Sequence, residues 1–89
     1  MSNSINPISA EYVRGLEWSQ LVRLIGEHWV KMSVHARPYY SAMRVMSGPK
    51  EAYGMDSGIG TVLYFLGNAA SWRGDVARAV KAELKRRIK

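Results

Sequence analysis

GIGTVLYFLGNAASW, residues 58–72, is the stretch whose reading decides the fold. No charge interrupts it. Ile59, Val62, Leu63, Leu66 and Ala70 recur at the three-and-four spacing of one helical face. Tyr64 and Phe65 make a second face apolar, and a helix apolar nearly all round belongs in the middle of a fold. A buried strand over 61–66 is the competing reading, since that segment is short, rich in strand formers and bounded by Gly60 and Gly67. Length favours the helix, and Asp56 and Ser57 stand in front of it as N-caps. A membrane span would need about 20 consecutive apolar residues, more than this run supplies. The expectation is an all-α fold, a compact bundle of four or five short helices around a buried central helix at about 58–72.

The segment after it carries most of the charge. Gly74 breaks the chain, Asp75 is a good N-cap, and a helix over 76–89 follows. Val76, Val80, Leu84 and Ile88, with Ala77, make its inner stripe. Arg78, Lys81, Lys85, Arg86 and Lys89 fall on the opposite arc, and the late cations suit the negative end of the helix dipole.

Working back from 58, residues 50–56 read as a packed-down loop, with Ala52 and Tyr53 in a brief turn of helix. Pro38 disfavours a helical Arg37, so the chain breaks over 35–37 and a helix begins with Pro38 in its first turn, running to 46. Its inner side holds Tyr39, Ala42, Met43 and Met46. Residues 17–32 form the other long helix, striped by Trp18, Leu21, Val22, Ile25, Trp29 and Met32. Glu27 and Lys31 stand one turn apart on its outer side. Gly26 weakens it but allows a close crossing. A short helical turn over 7–14, capped by Ser9 and ended by Gly15, follows a loose lead-in at 1–7.

Eighty-nine residues make a single small helical domain, 1–89. Without Cys, disulfides and thiolate zinc sites are excluded, which fits a cytoplasmic protein. No secretory signal is visible in the polar residues 1–7. Thirteen Lys and Arg against seven Asp and Glu give +6, an excess that attracts polyanions.

The catalytic constellations fail one by one. Asp56-Ser57-Gly58 lacks the G-x-S-x-G spacing of a nucleophile elbow. Gly54, Gly58 and Gly60 precede a helix but lack the phosphate-loop lysine, and Asp56 would repel phosphate. His28 and His35 have no carboxylates at a metal-binding spacing. The expectation is no enzyme, no cofactor and no metal.

Two basic regions remain. In 35–44, Arg37, Tyr39, Tyr40 and Arg44 mix cations with aromatics, the combination that holds phosphates and stacks bases. Helical spacing turns Tyr39 inward and leaves Tyr40 free. The helix over 76–89 is the stronger signal. A helix-turn-helix reading with its turn at 69–75 puts Asp75, Val76 and Ala77 where base-reading residues belong. The late charge suits phosphates instead. The apolar side lacks the Trp or Phe of interfacial helices, so no membrane is expected.

The expected function is non-catalytic binding of a polyanion, nucleic acid first, by Arg73, Arg78, Lys81, Lys85, Arg86 and Lys89 with Arg37 and Tyr40. The alternative is a protein-binding regulator or inhibitor of the phage or mobile-element type. It would dock on an acidic or nucleic-acid-binding surface of a larger partner. A homodimer is compatible with both.

Overall fold

The computed structural model describes residues 8–50, 52–53 and 56–89, and side chains outside 51–57. Ser9 starts the first element. Its Oγ accepts from the Tyr12 amide at 3.2 Å, and α1 (Ala10–Arg14) runs from there to Gly15. The next helix, α2 (Trp18–His28), is entered at Glu17, whose backbone N–H donates to Gln20 Oε1 at 2.9 Å. This is the return arm of a capping box.

α2 is shorter than its apolar stripe. At Trp29 the backbone leaves the helix, at φ −117° and ψ 70°. The indole there stacks on Trp72, with centroids 5.5 Å apart, and meets Phe65 edge-on at 6.0 Å. Aromatic packing thus outweighs further helix, and Met32 reaches the core from a turn instead. Lys31 lies beyond the helix, so the expected one-turn pairing with Glu27 does not form.

The break expected over 35–37 falls one residue earlier, as a turn over 34–36, and Arg37, expected outside the next helix, opens it; the Ala36 and Arg37 amides both donate to Ser33 O. α3 (Arg37–Val45) follows, with Pro38 in its first turn. Met43 and Met46 are buried, and Tyr39 and Ala42 half-buried, on the inner side. Trp18 Nε1 donates to Met43 O at 3.0 Å, tying the start of α2 to the end of α3. Next come two short strands, β1 (Ala52–Tyr53) and β2 (Asp56–Ser57), paired antiparallel with Ala52 opposite Ser57. The expected turn of helix at Ala52 and Tyr53 is therefore extended backbone. The caps expected of Asp56 and Ser57 rest on side chains outside the described ones.

The decisive stretch does form a helix, α4 (Gly58–Gly67), and stops earlier than 72. The cause is Asn68. Its side-chain amide donates to Tyr64 O at 2.8 Å, and the Ala69 amide reaches back only three residues, to Leu66 O. The chain tightens, and Ala69 and Trp72 enter the core from a loop.

α4 is also one-sided. Val62 and Phe65 are fully buried, and Phe65 is the largest such side chain. Leu63 and Tyr64 are 54% and 60% exposed. Tyr64 is covered only in part, by Tyr39 stacked at 5.4 Å. A chain of this size cannot surround a helix with others. The pivot of the bundle is accordingly α2, which packs on α3 and on the last helix, α5 (Asp75–Arg87). α4 packs on α3, and α1 on α5. The fold is the expected small all-helical bundle, with its centre moved from α4 to α2.

Candidate functional site

Trp72 is buried by Trp29, so the next residues must turn sharply at the surface. Gly74 makes that turn at φ 111°, in the region that favours glycine, and serves as the N-cap of α5. Asp75 thus lies inside the first turn, where sequence places it at the cap. Its carboxylate sits 3.4 Å from Arg78, and both side chains are about three-quarters or more exposed, at 74% and 80%. A pair so open to water contributes little.

Turn and helix together enclose an open groove of about 420 Å³. Arg73, Arg78, Lys81 and Lys85 line it, over Trp72 and Ala82. On α5 the cations follow at steps of three and four, along one side of the helix. Among the described residues, no carboxylate pairs with Arg73, Lys81 or Lys85. Lys81 feels the consequence. Partial burial, and after it the charges of Lys85 and Arg73, pull its ammonium below the usual lysine range. Trp72 is only 4% exposed, so it can floor the groove but offers no face for a base to stack on.

The other residues proposed from sequence lie elsewhere. Arg86 is bound at both oxygens of Glu83, Nε to Oε1 at 2.9 Å and Nη2 to Oε2 at 2.6 Å. It does not line the groove, and these two donors face an internal acid while the side chain stays half exposed. Lys89 is exposed but does not line the groove. Arg37 donates from Nε to Met32 O at 3.3 Å and borders a separate hollow. Tyr40, expected to be free, is half-buried. Its phenol occupies the space that a side chain at Gly26 would need. What Gly26 admits is the phenol of Tyr40 from α3, where a close crossing of helix backbones is the expectation.

Glu83 escaped the sequence reading. It is 4% exposed on the inner side of α5, and it also accepts from Arg87 Nε. Arg87 in turn donates from Nη2 to Val13 O at 3.1 Å and Leu16 O at 2.6 Å, locking α5 to the end of α1. The Arg86 hydrogen bond most of all, then Arg87, hold the Glu83 carboxyl below the usual carboxylate range against the opposing effect of burial. The available signal was an acid three and four residues ahead of two arginines.

His28 and His35 are both exposed, and among the described residues no group of three His, Asp or Glu could hold a metal. Among the described residues no helix is long and apolar enough to cross a membrane. No protein-family model, no curated protein and no solved structure matches this chain.

Proposed function

We propose that the protein is a non-catalytic binder of polyanions, nucleic acid first, which holds a phosphate backbone in the groove between Trp72 and α5. The observation that carries this reading is the gathering of Arg73, Arg78, Lys81 and Lys85 on one groove. Like charges held together raise one another's energy, and a row of phosphates relieves that cost while releasing condensed counterions. The covered Trp72 and the absence of amide side chains from the lining favour backbone contact over base reading. Binding is then indifferent to sequence. The cysteine-free composition fits a reducing compartment, so the cytoplasm is part of the same reading.

Titration with a labelled duplex across several salt concentrations tests it. Four neutralised phosphates correspond to a log–log slope between about −3 and −4. Duplexes of unrelated sequence should give the same curve. If no duplex binds at low salt, the reading fails, and retention of one acidic protein in its place would support the regulator alternative.

A further inference from the structure

Lys81 stands apart from the other lysines of the chain. Lys31, Lys50, Lys85 and Lys89 are exposed, whereas Lys81 is half-buried. It lines the open groove between the Gly74 turn and α5, and is reached through that opening. Arg78 stands one turn before it on the helix, Lys85 one turn after, and Arg73 comes in from the turn. Among the described residues, none of α1 or α2, the helices packed on α5, lines the groove, so they bring no acid to these cations there. The Asp75 carboxylate lies 3.4 Å from Arg78 and is not part of the lining either.

This setting does two things to the amine. Partial burial first, then the charges of Lys85 and Arg73, lower its pKa, so at a given pH more of it is free amine than for an ordinary lysine. Desolvation beside other cations is one of the ways in which a lysine becomes an activated nucleophile. The same cations also gather small anions, since a cleft lined by one sign of charge raises the local concentration of its counter-ions by about 10- to 1,000-fold. The space of about 420 Å³ lies within the range of small-molecule pockets, roughly 300–1,000 Å³. A reagent that meets both properties carries a phosphate and an electrophilic carbonyl.

We infer that Lys81 is an acylation site, modified by an acyl phosphate whose phosphate docks among Arg73, Arg78 and Lys85. The Lys81 ammonium first loses a proton to water. The free amine nitrogen then attacks the acyl carbon, a C–N bond forms, and the bond from that carbon to the phosphate oxygen breaks. Inorganic phosphate leaves with the bonding pair and takes the second proton from nitrogen. Nothing is oxidised or reduced. The arginines suit the departing group, because their planar forks bind phosphate by paired hydrogen bonds and keep their charge. The product is a neutral amide, so the groove loses one of its four cations. Acylation then weakens the hold on a phosphate backbone, a consequence that rests on the polyanion reading above, as the acylation itself does not.

The test treats the full chain with acetyl phosphate near neutral pH, without nucleic acid, and follows each lysine by peptide mass spectrometry. Lys81 should be acetylated at least about tenfold faster than Lys31, Lys50 and Lys89. Added salt should slow Lys81 more than those three, because screening weakens the docking. Arg73→Gln/Arg78→Gln changes two exposed side chains, so circular dichroism should be unchanged while the Lys81 rate falls toward that of the exposed lysines. Equal rates at Lys81 and the three exposed lysines overturn the inference. So does a Lys81 lead that neither salt nor the arginine variant diminishes, since no anion is then docked. Duplex binding is scored separately. A duplex that binds and shields Lys81 from acetylation supports both readings. Duplex binding by a protein with no preference for Lys81 overturns this inference alone. Absence of duplex binding, with Lys81 still acetylated first, overturns the proposed function and leaves the acylation site standing.

Discussion

Two faces of α5 carry the same kinds of residue and put them to different use. On one, Arg78, Lys81 and Lys85 join Arg73 around an open groove, and among the described residues only the exposed Asp75 lies near Arg78. On the other, Arg86 and Arg87 both close on Glu83, and Arg87 continues to the carbonyls of Val13 and Leu16. Charge alone does not separate these groups, and position along the helix does not either, since Lys85 and Arg86 are neighbours in the last turn. One buried carboxylate does. It turns Arg86 and Arg87 into a structural clamp and leaves the groove cations without an internal acid. Basic residues on a helix are therefore a binding surface only where the fold does not answer them from within.

Breaking the clamp should produce the largest effect. Glu83→Gln removes the acid from two arginines, one of which is only 15% exposed. Loss of charge-assisted hydrogen bonds in such a setting costs about 2–3 kcal/mol, read as a lower denaturant midpoint. Polyanion affinity measured well below that midpoint should stay the same or rise, since Arg86 is released. A variant as stable as wild type would show that the clamp does not hold α5 to α1.

The same carboxylate makes a pH prediction. Its folded pKa is depressed, by Arg86 first and then Arg87. The stability it contributes is thus complete above the unfolded carboxyl value of about 4.3 and is lost as pH falls through the lower folded value. Wild type should lose stability relative to Glu83→Gln as pH drops below about 4. Parallel curves for the two proteins would mean that Glu83 is not ionised in the clamp.

Reversing charges on the groove face should leave stability alone. Lys81→Glu/Lys85→Glu touches no buried partner. Thermal unfolding should stay near that of wild type, while the salt slope flattens by about two units, one per lost phosphate contact. A slope unchanged by the reversal would place the phosphate contacts elsewhere.

How far the chain is legible depends on whether a residue's role is set locally. Among the described residues, spacing and caps locate all five helices and the cap at Ser9, and they place the break before Pro38 to within one residue, because each rests on neighbours within a turn. Phe65 and Trp72 are recognisable as apolar, but the early end of α4 depends on Asn68 bonding back to Tyr64, and the early end of α2 on Trp29 finding Trp72 from 43 residues away. Exposure of Leu63 and Tyr64 depends on how few helices are available to cover them. For the groove, Arg78, Lys81 and Lys85 follow from periodicity after a glycine turn, and Arg73 stands immediately before that turn. Arg86 does not, since its spacing is as good as theirs and its partner is hidden on the inner face. Tyr40 was misplaced because its position is decided by Gly26 on a different helix.

The smallest effect is a proton. Lys81 is the half-buried member of the open set, and burial first, then Lys85 and Arg73, lower its pKa. A phosphate seated in the groove offsets that repulsion and raises the pKa in the complex. With the bound value above the free one, complex formation takes up protons wherever the pH lies between or near the two. Affinity therefore declines as pH rises through that alkaline window, and near neutral pH, where both forms are protonated, there is no linkage. Calorimetric titration in two alkaline buffers of different ionisation heat measures the uptake, which should stay below one proton per protein. Lys81→Arg keeps the charge but cannot titrate, so its uptake should vanish while its affinity at neutral pH is retained. If wild type takes up no proton at alkaline pH, or Lys81→Arg takes up as much as wild type, no phosphate sits beside Lys81. The open face of α5 would then be no more a polyanion site than the one closed by Glu83.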